Sequence, residues 1–229
     1  LYIASFFICL LIAFMVNKFS PTVYEVNSTI GPVQDKRSSL LGSNDLFSGL
    51  GALAEARNLE NDINSLNSFS LIATTIKNLN LEIGYFTGKN NLFQKPSQGY
   101  LGNPYTVIID KSHIQPINTK FRVDILDEFS YRLVASEDEA AYYNYIDNAV
   151  VSDKNTVETD TICRFNETIS SYNFKFSITL NKEFYNPVRA RETESYFELY
   201  HLDQLTKSYL KRLKVEPVSI RSSLITVFF

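Results

Sequence analysis

The stretch Asn58–Phe86, NLENDINSLNSFSLIATTIKNLNLEIGYF, decides how the rest of the chain is read. Leu59, Ile63, Leu66, Ile72, Ile76 and Leu79 recur at threes and fours with one longer step, while Asn61, Asp62, Asn67 and Lys77 fall between them. That is the period of an amphipathic helix and predicts one helix over the first two-thirds of the stretch. At Leu81 the period becomes two. Leu81, Ile83 and Tyr85 alternate with Glu82, Gly84 and Phe86, which suits a half-buried strand. A helix that feeds directly into a strand makes a compact structural corner, and nothing in it is chemically reactive.

Outward from this corner, the composition bounds the class. The 229 residues suffice for one large domain, or for a domain with an anchor. A hydrophobic content of 45% is that of a globular core. A net charge of −3 leaves no basic footprint, which excludes nucleic acid as the expected partner. Two cysteines, Cys9 and Cys163, cannot form a disulfide framework.

Upstream, Leu1–Val16, LYIASFFICLLIAFMV, carries no charge. Sixteen residues at ~1.5 Å each rise about 24 Å, short of a ~30 Å hydrocarbon core unless the segment is cut at its start. The expectation is a transmembrane helix over residues 1–18, truncated, with Lys18 at the interface. A signal-peptide core and a buried core helix are the alternatives. Thr22–Ile30, rich in β-branched residues after Pro21, reads as a strand, and residues 31–51 as a loop.

Downstream, strands are expected at Tyr105–Asp110, Thr119–Leu126 and Phe129–Ala135, with a turn at Asp127-Glu128. Glu137, Asp138 and Glu139 read as a solvated turn, not as a paired acid and base. Thr161–Thr179 gives two further strands, with Tyr172, Phe174, Phe176 and Ile178 alternating cleanly. Tyr196–Leu199 reads as a short strand. Leu202–Leu213 reads as a helix, stopped by Val215-Glu216-Pro217. The chain lacks an initiator Met and ends on SSLITVFF inside an expected strand, so it is read as part of a longer protein. The order of elements predicts an α+β fold. An N-terminal transmembrane helix would precede a domain over residues 19–229, with a mixed sheet and a few packed helices.

The central stretch resembles a known family. An acidic or amide residue, Ile63, then Leu66-Asn67-Ser68, then Ile76, Leu79, Asn80 and Leu81, follow the helix-to-strand segment of the Wzz-type chain-length determinants. The closest likeness is to the periplasmic part of Wzc-like exopolysaccharide co-polymerases and tyrosine autokinases. Asn103-Pro104-Tyr105 resembles the family's strand lead-in. Phe165-Asn166-Glu167 resembles its Phe-Gly-Glu turn, with Asn in place of Gly.

The resemblance implies a bacterial inner-membrane protein whose main domain is periplasmic. It implies a homo-oligomeric ring, in contact with membrane lipid, that regulates the chain length and export of a surface polysaccharide. A polysaccharide polymerase and an outer-membrane exporter would be its partners. Ile63, Leu66, Ser68, Ile76, Leu79 and Leu81 would be structural motif residues. The fragment itself would be non-catalytic, any tyrosine kinase lying beyond a second membrane span.

No catalytic, cofactor-binding or metal site is expected. His113 and His201 are isolated from one another and from cysteine, whereas a zinc site needs clustered ligands. GYFTGK at Gly84–Lys89 is one residue short of a P-loop and lacks the following Ser or Thr, so it reads as a glycine turn ending a strand. Tyr142, Tyr143 and Tyr145 are the candidates for glycan contact, through stacking on sugar rings. They carry the alternative function: an anchored periplasmic glycan-binding or adhesive envelope domain.

Overall fold

In the computed structural model, residues 2–19, 25–31, 59–88, 96–219 and 224–229 are described. The chain divides into two compact units, Leu1–Ser20 with Asn80–His201, and Pro21–Leu79 with Leu202–Phe229.

In the second unit, strand β1 (Asn27–Ile30) comes first. Helices α2 (residues 59–66) and α3 (Phe69–Asn78) follow. The single helix expected over this stretch is two helices. The break falls at Asn67-Ser68, within the longer step from Leu66 to Ile72. Ser68 is the N-cap of α3, its hydroxyl accepting the Leu71 N–H at 3.3 Å. Serine offers the first turn an acceptor that an unbroken helix would not use, so a new helix starts there. Ser68→Ala should therefore cost about 1 kcal/mol, measured by chemical denaturation with helix content followed by circular dichroism.

After α3 the chain leaves this unit. It returns as α5 (Leu202–Arg212), β12 (Lys214–Pro217) and β13 (Ile225–Phe228). Val215-Glu216-Pro217, expected only to stop a helix, is thus a strand. Pro217 is tolerated because β12 lies at the edge of the sheet β1-β13-β12. β1 pairs antiparallel with β13, from Asn27 opposite Phe228 to Ile30 opposite Ile225. α3 packs on α5, where Ile76 is buried and the buried Thr206 hydroxyl donates to the Leu202 carbonyl at 2.8 Å. The Arg212 guanidinium lies over both the Tyr209 ring and the Phe229 ring, 5.0 and 4.9 Å from their centres.

The first unit holds α1 (Tyr2–Phe19) and, after a turn with Asn80 in the left-handed region (φ 52°), a set of strands. These are β2 (Ile83–Thr87), β3 (Ser97–Gly99), β4 (Tyr105–Ile109) and β5 (Gln115–Ile117). Next come β6 (Phe121–Ile125), β7 (Ser130–Asn144), β8 (Ala149–Arg164), β9 (Thr168–Ser170) and β10 (Lys175–Leu180). A short helix, α4 (Pro187–Glu192), precedes β11 (Ser195–Leu199). One sheet runs β3-β2-β11-β6-β7-β5 with β8 on β7, and the other runs β4-β10-β9.

Inward residues alternate along the strands: Phe121, Val123 and Ile125 on β6, Phe176, Ile178 and Leu180 on β10, Phe197 and Leu199 on β11. Phe121 stacks on Phe197 at 5.1 Å and meets Phe174 and Phe176 edge-on at 5.4 and 5.3 Å, joining the two sheets. Glu137, Asp138 and Glu139 lie within β7 and not in a turn. They are exposed, at a place where the ladder with β8 shifts register.

The expected α+β fold is corrected on two counts. Among the described residues the chain is mostly β, 43% strand against 26% helix, and every strand pairing is antiparallel. A mixed sheet needs helical crossovers between parallel strands. Here no described helix lies between β3 and β10, and the one before β11 is the six-residue α4. The long helices of residues 59–78 and 202–212 pack in the other unit. Secondly, among the described residues no helix is long and apolar enough to cross a membrane, so the transmembrane helix expected over residues 1–18 falls. The 18 residues of α1 rise about 27 Å, and its run closes with the polar pair Asn17-Lys18.

Candidate functional site

The sequence-derived candidates are placed as follows. Tyr142 and Tyr143 are 1% and 5% exposed. Tyr142 and Tyr143 pair with consecutive residues on both neighbouring strands, Val151 and Val150 of β8 and Pro116 and Gln115 of β5, so their rings lie on opposite faces of the sheet and each is covered there. Tyr143 meets Tyr145 edge-on at 4.8 Å and His201 at 4.6 Å. The Tyr145 hydroxyl is itself buried. Burial, with the Glu82 charge adding to it, pushes this phenol well above its ordinary range. Tyr142 and Tyr143 are packed in the interior, and Tyr145 is half-buried with Lys111 Nζ 5.4 Å from its ring centre.

Of the motif residues, Ile76 is buried, Ile63, Leu66 and Leu81 are half-buried, and Leu79 is 62% exposed. Ser68 is the cap already described. The Gly88 turn ends β2 with a positive φ of 133°, and its N–H donates to the Glu194 carbonyl; Lys89 lies outside the described residues. His113 Nδ1 lies 2.8 Å from its neighbour's carbonyl, that of Ile114. Among the described residues no three His, Cys, Asp or Glu side chains gather to hold a metal ion.

The 80–201 unit contains two cavities worth weighing. One, of about 360 Å³, lies where β2 faces β4. Its charged groups are Glu82, 5% exposed, and Lys111, whose Nζ is 3.0 Å from Glu82 Oε2. The Tyr85 hydroxyl accepts the Val107 N–H there at 2.9 Å. The two charges neutralise each other, and the polar atoms serve the strands. This is the signature of a structural ion pair.

The other cavity, of about 220 Å³, is built by Thr87 of β2, Ser97 and Gly99 of β3, the loop Leu101–Pro104, and the segment from Phe184 through α4 to Ser195. Gly102 turns the loop with a φ of 76°, which a side chain rarely adopts. Asn186-Pro187 starts α4. The Asn186 side-chain oxygen accepts the Val188 and Arg189 N–H groups at 3.0 and 3.1 Å, and proline supplies the fixed φ of the first turn. This cap aims the amide nitrogen of Asn186 away from its own helix.

Thr193 donates to the Arg189 carbonyl at 2.7 Å, and Ser195 donates to the Val123 carbonyl at 2.8 Å. The Thr193 oxygen keeps lone pairs for an incoming donor, while the buried Ser195 hydroxyl also meets the Tyr105 side chain. The Arg189 guanidinium, exposed, has no carboxylate or hydrogen-bond partner among the described residues, and no described lining residue is acidic. Phe184 and Leu101, 46% and 93% exposed, form an apolar rim.

No family model matches the chain, and no curated protein matches it.

Among the described lining residues the charged group is a guanidinium, which cannot give up a proton, and the Thr193 and Ser195 hydroxyls and the Asn186 amide are hydrogen-bonding groups. Sequence reasoning missed the cavity because its residues come from four separate stretches, Thr87, Ser97–Pro104, Ile125 and Phe184–Ser195. The one local signal was Asn186-Pro187, an N-cap followed by proline at the first helical position.

Proposed function

We propose that this chain is a non-catalytic scaffold in the assembly of a bacterial surface polysaccharide, acting on the periplasmic side as a homo-oligomer beside a polymerase and an exporter. The observation that carries the reading is the antiparallel pairing of β1 with β13. It closes Pro21–Leu79 and Leu202–Phe229 into one unit, so that residues 80–201 are an insertion within it. Chain-length determinants, which the corner at Asn58–Phe86 resembles, begin their domain on such a first strand and leave it through such a last one. A scaffold also needs no reactive constellation, only a rigid base and exposed faces.

Two measurements test the reading. In sedimentation velocity the full chain should assemble into closed homo-oligomers. In its own cell, deletion should shift the size distribution of the surface polysaccharide on gels. A monomer at the highest attainable concentration, together with an unaltered polysaccharide ladder, would overturn it.

A further inference from the structure

We infer that the 220 Å³ cavity between β3, the Leu101–Pro104 loop and α4 is a binding site for a carboxylate-bearing monosaccharide unit, such as a hexuronate. The inference goes beyond the scaffold reading and does not depend on it. The volume would hold about seven waters at ~30 Å³ each, which is room for one ring-sized ligand and not for a drug-sized one.

The lining supplies what such a ligand needs. Arg189 is a guanidinium without a carboxylate among the described residues, in a cavity whose described lining has no acid of its own. It can take a carboxylate through two parallel N–H bonds. Thr193 spends its proton on a backbone carbonyl and keeps oxygen lone pairs, whereas the buried Ser195 hydroxyl is engaged by the Val123 carbonyl, meets the Tyr105 side chain and forms the floor. The Asn186 side chain has the opposite balance, its oxygen spent on two N–H groups and its amide hydrogens left. A polyol, donating and accepting at each hydroxyl, satisfies both kinds. The half-exposed Phe184 ring offers an apolar wall for the C–H face of a sugar. An aliphatic carboxylate would waste the Thr193 hydroxyl, and a neutral sugar would leave Arg189 unpaired.

The test is a titration of the ¹⁵N-labelled full chain with glucuronate, glucose and acetate in parallel. Glucuronate should shift the amides of Gly99, Gly102 and Ser195 with a Kd of about 1 mM. Glucose and acetate should each bind about tenfold more weakly. Arg189→Gln should weaken glucuronate about tenfold, whereas Arg191→Gln, on the same short helix but off the cavity, should leave it unchanged. A uronate tetramer that shifts the same amides would assign the ligand to a polymer; a response to the monomer alone would assign it to the free acid. Absence of any glucuronate shift at these amides overturns the proposal. So does equal binding of glucose, equal binding of acetate, or an Arg189→Gln protein that binds as the wild type does.

Discussion

Phe121→Ala should remove about 3–5 kcal/mol of folding stability. Phe121 is fully buried at the first position of β6. Its ring touches three others, stacked on Phe197 and edge-on to Phe174 and Phe176, all with centres within 5.4 Å. Phe197 belongs to the same sheet, whereas Phe174 and Phe176 arrive with the β10 segment of the other sheet. Truncation therefore opens a void between two sheets, each too regular to collapse into it, and it also removes the ring geometry that favours these pairs. A typical domain has only ~5–15 kcal/mol of stability, so this single change should leave the unit marginal. Phe121→Leu separates the two contributions: it keeps most of the volume, loses the ring contacts, and should cost about 1–2 kcal/mol. Urea unfolding followed by tyrosine fluorescence reads both, the chain having no tryptophan. A loss below ~1 kcal/mol for the alanine variant would mean that these rings do not join the sheets.

The strands of this core were legible because alternation is a local signal. Phe121, Val123 and Ile125, or Phe174, Phe176 and Ile178, point the same way whatever they pack against. At the turn after β8, the sequence has Asn166 where the resembling family has glycine. Asn166 adopts a left-handed φ of 66°, which asparagine tolerates. Three things were not legible. Tyr142 and Tyr143 lie on opposite faces of β7 and are both buried, because this end of the strand is covered on both sides, and what covers a face is a long-range fact. The break at Ser68 hid beneath a hydrophobic period that two successive helices can share. The cavity at Arg189 depends on strand order, since β3, β2 and β11 become neighbours only when residues a hundred apart pair. Sheet direction failed for the same reason: helix and strand were read in order, but which unit each helix covers is a long-range fact.

Gln115→Leu should cost about 1–3 kcal/mol although it leaves the volume of the side chain nearly unchanged. Gln115 is fully buried on β5. Its Nε2 donates to the Asp110 carbonyl at 2.9 Å and to the Lys175 carbonyl at 2.6 Å, while its Oε1 accepts the Lys175 N–H at 3.3 Å. One amide side chain thus completes the backbone pairing where β4 ends and β10 begins, two points that the ladder itself reaches only through the Asp110 N–H to the Lys175 carbonyl at 3.0 Å. Leucine fills the space and satisfies none of these groups. The Lys175 carbonyl keeps the Asp110 N–H and the Asp110 carbonyl keeps the His113 N–H at 3.1 Å, but the Lys175 N–H loses the bond that Gln115 gave it, and a buried group left so costs about 1–3 kcal/mol. Gln115→Glu sharpens the argument. A carboxylate there has no proton to give and would face two carbonyl oxygens, so its folded-state pKa must rise above the ordinary ~4.3. The sign follows: above that raised pKa the full penalty applies, and as pH falls through it the carboxyl takes a proton and regains one donor. The glutamate variant should therefore be more stable at pH 5 than at pH 8 relative to wild type, while the leucine variant shows no such slope. Equal slopes in the two variants, or a leucine variant as stable as wild type, would mean that the side chain fills space at this junction without pairing the backbone across it.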